Sequence, residues 1–179
     1  MHTRLHEFKK NFLEFSHDMI SICKIMTTNI WINSIMKDVP SFIGVCSLDT
    51  MVKPISFPSY IIVNFSKSYE PGSHFVTILF LDKQNCLYFD PLNLLFVPQE
   101  ILNYMFNISQ VIQKIEYRVQ NAFSIYCGFF CLVPILLHVN HFPILTGLSI
   151  FTEGSIRNDE LCIDLLSELF KIYYSRKEG

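Results

Sequence analysis

Cys127 follows a strand-like stretch and a short turn, and it opens an apolar run that we predict to be a helix. A thiol in the first turn of a helix experiences the positive end of the helix dipole and several unpaired N–H groups, and both favour the thiolate. Gly128 beside it permits close approach of another backbone. Cys127 is therefore a candidate nucleophile, although a free cysteine in an apolar run is more often an inert core residue.

Three polar residues before Cys127 have side chains that suit the other steps of acyl transfer. His74 begins a predicted strand, where an imidazole can face a cleft and act as a base. Asp90 ends another predicted strand, where a carboxylate can orient the imidazole, although Asp-Pro is also typical of a simple turn. Gln120 lies seven residues before Cys127, at the end of a predicted strand, and its amide can donate a hydrogen bond to an oxyanion. On its own, Gln120 would be an ordinary surface glutamine.

These residues and their flanking sequences resemble the adenovirus maturation protease (adenain) family, in the cysteine protease clan that also holds the SUMO-specific proteases. The similar stretches are residues 71–75, 86–92 and 120–130, with shorter ones at residues 35–38, 42–45 and 61–64. The likeness covers roughly residues 30–175, and its specific part is the spacing of Gln120 and Cys127. Two positions depart from the family: Phe75 stands where tryptophan is usual, and Asp90 matches the SUMO-protease branch where adenain has glutamate.

The resemblance implies a cysteine endopeptidase with catalytic residues His74, Asp90, Gln120 and Cys127 and with no cofactor. Its substrates would be viral capsid and core precursor proteins, cut after glycine in hydrophobic-X-Gly-Gly sites. It would then be located in the host nucleus or the virion. Two alternatives stay open: a deubiquitinase or SUMO-type isopeptidase acting on host proteins, and a catalytically inactive virion structural or binding protein. The presence of all four site residues argues against the second.

The activators of the adenoviral family have weak support in this chain. The family's covalent peptide activator is received by a cysteine eleven positions before the glutamine, and Ser109 occupies that position here. We therefore expect no covalent peptide activator. A net charge of −2 likewise gives no support for DNA as a partner, although a local basic patch stays open.

The elements needed to position these residues predict an α+β fold, in which a small mixed β-sheet is flanked by helices. The catalytic cysteine would begin a buried central helix. Predicted strands cover residues 60–65, 75–81, 86–89 and 115–119, and predicted helices cover residues 30–36, 98–107, 124–138 and 159–175. We expect residues 29–179 to form a single protease domain.

Residues 1–28 have no counterpart in the resemblance, and we predict an amphipathic helical extension there. Its apolar residues recur at steps of three and four, namely Leu5, Phe8, Phe12, Phe15, Met19, Ile22 and Met26. This stripe could pack on a partner or on the body of the protein, and we favour the latter. We hypothesise that it substitutes for a missing activator, so full activity and stability after deletion of residues 1–28 would contradict the idea.

The composition excludes several other classes of protein. The chain has 179 residues, of which 50% are hydrophobic, so one buried core is expected. Its six cysteines form no CxxC pair, which argues for reduced thiols in an intracellular compartment and against structural zinc. The most apolar run, residues 126–139, is too short for a membrane span and contains Pro134.

Overall fold

A computed structural model of the chain describes residues 28–178, with the side chain of residue 178 left out. The predicted helical extension therefore lies outside the described residues, apart from Thr28. The Thr28 hydroxyl accepts a hydrogen bond from the backbone N–H of Trp31 and caps helix α1 (Asn29–Met36). This helix ends before Pro40, as predicted.

A five-stranded mixed sheet forms the centre of the molecule, in the order β1-β2-β3-β4-β5. Its strands are β1 (Phe42–Ser47), β2 (Ser59–Asn64), β3 (Phe75–Phe80), β4 (Asn85–Phe89) and β5 (Val111–Lys114). Strand β3 runs antiparallel to both of its neighbours, β2 and β4, whereas the outer strands β1 and β5 run parallel to their neighbours β2 and β4. The predicted α+β fold with a small mixed sheet is confirmed.

Two apolar layers cover the two faces of this sheet. Side chains of β3 alternate between them, with Phe75 and Leu79 in one layer and Val76, Ile78 and Phe80 in the other. The first layer contains helices α3 (Cys127–Val139) and α5 (Asn158–Glu178), with the short helix α4 (Ile144–Leu148) beside α3. The second layer contains helix α2 (Gln99–Phe106).

Helix α3 is the buried central helix that the sequence predicts. Residues from Cys127 to Leu137 are all buried along it. The hydroxyl of Thr77 in β3 donates a 2.7 Å hydrogen bond to the Cys131 carbonyl, which ties the helix to the sheet. Within residues 28–178, no helix combines the length and apolar character needed to cross a bilayer.

The predicted strand at residues 115–119 is wrong, because the last strand lies earlier, at Val111–Lys114. Beyond β4 the chain passes through Pro91, which has no N–H to continue a ladder. The Pro91 carbonyl instead accepts hydrogen bonds from the backbone N–H groups of Val119 and Gln120, at 3.1 and 2.9 Å. Gln120 therefore follows an irregular segment and does not end a strand.

Strand β1 was not predicted, because Gly44 interrupts its apolar sequence, and in the structure Gly44 has a φ of 142°. Its pairing with β2 shifts register between Phe42 and Gly44. Helix α3 begins at Cys127, three residues later than predicted, because Ser124 belongs to the preceding turn and accepts a hydrogen bond from the Tyr126 N–H. The Cys127 N–H is thus in the first helical turn.

Candidate active site

The sheet brings His74 and Asp90 together at one edge. His74 directly precedes β3 and Asp90 directly follows β4, and these two strands are antiparallel neighbours. The start of β3 and the end of β4 therefore lie side by side. His74 Nε2 and Asp90 Oδ1 are 2.7 Å apart, which is the distance of a charge-assisted hydrogen bond.

The Asp90 carboxylate is fully buried and has further hydrogen bonds on both oxygens. Oδ1 accepts from the Leu92 N–H at 2.9 Å, and Oδ2 accepts from the Leu94 N–H at 3.1 Å. Burial raises the pKa of the Asp90 carboxyl, but the hydrogen bonds from His74 and the two backbone N–H groups outweigh it, so the pKa lies below its usual range. Asp90 thus organises the turn after β4 and also holds the imidazole.

The His74 ring is oriented by its neighbours. Its Nε2 is engaged by Asp90, so Nδ1 is the nitrogen left for the Cys127 thiol. The ring of Phe65 packs edge-on against it, with the ring centroids 5.1 Å apart. Burial opposes the charged imidazole, but hydrogen bonds with Asp90 and Cys127 outweigh it and raise the pKa of His74 to about 9. The imidazolium is therefore the main form at neutral pH.

Cys127 is the first residue of α3, and its side chain lies against His74 with only 8% of the residue exposed. In the first helical turn the Phe129 N–H bonds the Tyr126 carbonyl at 2.9 Å, whereas the N–H groups of Cys127 and Gly128 have no backbone acceptor within the described residues. They point toward the same end of the helix as the thiol. A thiolate here would have the imidazolium on one side and the positive helix end on the other.

Gln120 is placed by the turn that leads into α3. Its backbone N–H donates to the Pro91 carbonyl, which links this turn to the one after Asp90. Its side-chain Nε2 donates a 2.8 Å hydrogen bond to the Ser124 carbonyl, so the second N–H of that amide remains for another acceptor. Its Oε1 is buried and has no hydrogen-bond partner within the described residues.

One cleft of about 420 Å³ exposes three of the four predicted site residues, His74, Gln120 and Cys127. Its lining comes mainly from the segment between Asn64 and Phe75 and from the turn before Cys127, and it includes Thr28 and Asn29. Asp90 lies behind His74 and has no exposed surface. The structure thus brings all four predicted residues together at this cleft, with Asp90 joined to it through His74.

Two polar residues of this region were not singled out from the sequence. Ser124 accepts the Gln120 amide through its carbonyl, and Asn64 ends β2 on the wall of the cleft. The sequence did carry a signal for Asn64, because it is a polar residue at the end of an apolar strand. Ser124 carried no comparable signal, because its role depends on contacts with distant residues.

The fold defined by this sheet and buried helix is that of a known viral protease. No protein-family model matches the chain, and no curated protein sequence matches it either. Among solved structures, the crystal structure of the African swine fever virus (ASFV) pS273R protease is similar at a TM-score of 0.53 and 14% identity, over 80% of this chain and 67% of that chain. Its selenomethionine form gives a TM-score of 0.50 at the same identity and coverage. This likeness shows a shared fold, and membership of the adenovirus protease family stays a prediction.

Proposed function

We propose that this chain is a cysteine endopeptidase in which Cys127 is the nucleophile. The observation that carries the proposal is a pair of contacts: Asp90 bonds His74, and His74 contacts Cys127, which lines the cleft. A thiol beside an imidazole that a buried carboxylate orients is the arrangement that activates sulfur for acyl transfer. The fold shared with the ASFV pS273R protease gives independent support.

The first half of the proposed reaction forms an acyl-enzyme. Before attack, Cys127 and His74 form a thiolate–imidazolium pair in which His74 holds the proton, and the thiolate attacks the carbonyl carbon of the scissile peptide bond. When the tetrahedral intermediate collapses, the C–N bond breaks and the His74 imidazolium gives its proton to the leaving amine. The products of this step are a thioester on Cys127 and the amine half of the substrate.

The second half releases the thioester. Water attacks the thioester carbonyl and gives a proton to His74, and collapse returns the electrons of the C–S bond to sulfur. Asp90 keeps the same imidazole orientation throughout and takes no proton itself. Its lowered pKa and its two backbone N–H bonds suit this constant charge.

In both halves of the reaction, two hydrogen-bond donors stabilise the negative charge that develops on the attacked carbonyl oxygen. One is the backbone N–H of Cys127 at the start of α3, and the other is the free N–H of the Gln120 amide. Donors held in place before the reaction need no reorganisation when the charge develops, and each is worth a large factor in rate. The buried Gln120 side chain is only 2% exposed, so its orientation is well fixed.

We further propose that the substrates are cut after glycine in hydrophobic-X-Gly-Gly sites and are viral precursor proteins. Cys127 and His74 are 8% and 9% exposed, so a scissile bond reaches them most easily when its flanking residues have no side chain. The viral origin rests on the resemblance to adenain and on the fold of the ASFV protease. The helical extension over residues 1–28 and its docking also remain proposals.

The test of the proposed function is cleavage of peptides that contain Gly-Gly, comparing the wild type with Cys127→Ala. We expect cleavage by the wild type and none by Cys127→Ala. Cys46→Ala is the matched control, because Cys46 is a half-buried thiol in β1 that does not line the cleft, and it should retain activity. Equal cleavage by wild type and Cys127→Ala would overturn the proposal.

A further inference from the structure

Asn64 lies on the wall of the cleft, but no step of the reaction above uses its side chain. It is the last residue of β2 and pairs across the sheet with Phe75, the neighbour of His74. Only 3% of Asn64 is exposed. We infer that Asn64 is a substrate-binding residue, whose Nδ2–H donates a hydrogen bond to a main-chain carbonyl of the peptide in the cleft. This inference rests on the proposed function.

The orientation of the Asn64 amide follows from its partners. One of its terminal atoms accepts hydrogen bonds from the backbone N–H groups of Ser66 and Ser73, at 3.0 and 3.2 Å. Because both partners are donors, that atom must be the oxygen, Oδ1, and the amide cannot be flipped. Its position is therefore fixed before any ligand binds.

The Nδ2 group of Asn64 is left without a hydrogen bond inside residues 28–178. It points toward Gly72, where a Cβ would come within 2.8 Å of it. Gly72 also lines the cleft, and its lack of a side chain leaves the space beside the amide open. Because Oδ1 is already occupied, Nδ2 is the part of the amide that an acceptor on a ligand in the cleft can bind.

The chemistry of this donor indicates a peptide carbonyl as its acceptor. Nδ2 is uncharged and can only donate, so it suits a neutral acceptor better than an ion. A peptide that reaches Cys127 carries a carbonyl on every residue along the same cleft. A role limited to holding the loop would need Oδ1 alone, as in Asn33, whose Oδ1 accepts from the Val45 N–H at 2.9 Å on an exposed surface.

Asn64→Asp separates the binding role from the structural role. The carboxylate keeps the shape of the side chain and still accepts from the N–H groups of Ser66 and Ser73, but it has no donor for a ligand. Asn33→Asp is the matched control, because it makes the same change at an asparagine that also accepts a backbone N–H but lies outside the cleft.

Binding is measured by fluorescence anisotropy of a labelled hydrophobic-X-Gly-Gly peptide, with each substitution placed in the Cys127→Ala background so that no turnover occurs. Asn64→Asp should raise the Kd about three- to tenfold, the effect of one lost hydrogen bond. Asn33→Asp should leave it unchanged. In the active enzyme, Asn64→Asp should raise KM by the same factor with kcat nearly constant, and the rate of Cys127 alkylation by iodoacetamide should not change.

An unchanged Kd in Asn64→Asp would overturn the inference, even if the wild type cleaves peptides and the proposed function stands. A change in Cys127 alkylation as large as the change in Kd would also overturn it, because Asn64 would then act through His74. If the wild type cleaves nothing, the proposed function fails, and the Kd comparison still decides the role of Asn64. Absence of peptide binding to Cys127→Ala would overturn the inference as well.

Discussion

Burial of the His74 imidazole disfavours its charged form, whereas hydrogen bonds with Asp90 and Cys127 favour it and raise its pKa to about 9. A group whose pKa is raised on folding contributes stability that is fully present below its unfolded value, about 6.5 for histidine. That contribution is lost as the pH rises through 9. The imidazolium needed by the proposed mechanism is therefore lost over the same alkaline range.

The first prediction concerns this alkaline range. The kcat/KM for peptide cleavage should fall with an apparent pKa of about 9, because His74 loses its proton there. Asp90→Asn removes the carboxylate that supports the charge, so the alkaline limb should move to lower pH and kcat should fall roughly 10²-fold or more. The measurement is a pH–rate profile for each variant.

Asp164→Asn is the control for this profile, because Asp164 is exposed on α5 and does not contact His74. It should leave the alkaline limb in place. The assignment of His74 would be contradicted if Asp90→Asn and the wild type had the same alkaline limb.

A second prediction at the residue scale concerns Gln120. Gln120→Ala removes one donor to the oxyanion, so kcat should fall about 10²–10³-fold with little change in KM. Alkylation of Cys127 should stay as fast as in the wild type, because it forms no oxyanion. Gln99→Ala is the control, since Gln99 is an exposed residue of α2 whose amide bonds Asn103. An undiminished kcat in Gln120→Ala would show that the amide has no part in the reaction.

Among elements, the turn between Gln120 and α3 depends most on a single residue, Ser124. Its carbonyl accepts from the Gln120 amide, and its hydroxyl donates a 2.8 Å hydrogen bond to Asp159 in the first turn of α5. The same hydroxyl oxygen accepts from the Tyr126 N–H at 3.1 Å. Ser124 thus joins the Gln120 amide, the start of α3 and the start of α5.

The third prediction tests this connection. Ser124→Ala should lower the free energy of unfolding by about 1–3 kcal/mol, because the Asp159 carboxylate and the Tyr126 N–H both lose a partner. It should also lower kcat, since the turn no longer holds Gln120 in one position. Urea denaturation and peptide cleavage measure the two effects.

Ser149→Ala provides the comparison, because the Ser149 hydroxyl bonds the Thr146 carbonyl at an exposed helix end away from the cleft. If Ser124→Ala changed stability and kcat no more than Ser149→Ala does, the turn would not depend on Ser124.

The elements that the sequence predicted well are those with a strong local pattern. Strands β2, β3 and β4 are rich in β-branched and aromatic residues, and α3 and α5 have long apolar runs or faces. The errors fall where distant contacts decide the structure. Residues 115–119 look strand-like, but their end is held by the Pro91 carbonyl, and β1 forms because β2 pairs with it.

The candidate site residues were chosen from their order and spacing, which do not give their geometry. The pairing of β3 with β4 decides that His74 and Asp90 meet, and the turn at Ser124 decides where the Gln120 amide points. Neither can be deduced from local sequence. Asn64 was not predicted as a site residue for the same reason, because the two backbone N–H groups that orient its amide come from the following loop.

At the scale of the whole molecule, α3 is the element on which both the fold and the site depend. Its first residue is Cys127, and its apolar side chains fill the layer between the sheet and α5. The fourth prediction is that Leu132→Ala lowers the free energy of unfolding by about 2–5 kcal/mol, because Leu132 is fully buried and the change leaves a cavity. Leu95→Ala, at a fully exposed position, should change it by about 0.5 kcal/mol or less.

Both leucine variants are compared with the wild type by urea denaturation. A single cooperative transition is expected for each, since one packed layer joins α3, α5 and the sheet. An effect of Leu132→Ala as small as that of Leu95→Ala would contradict the central position of α3.

The claim that Cys127 is the activated nucleophile is tested most directly by competitive alkylation with iodoacetamide at neutral pH, followed by peptide mass mapping. The other free cysteines among the described residues are Cys46, Cys86, Cys131 and Cys162, and burial raises the pKa of each. Cys127 should react faster than all four by about tenfold or more, and His74→Ala should abolish that advantage. Faster labelling of any of the four, or an unchanged Cys127 rate in His74→Ala, would contradict the claim.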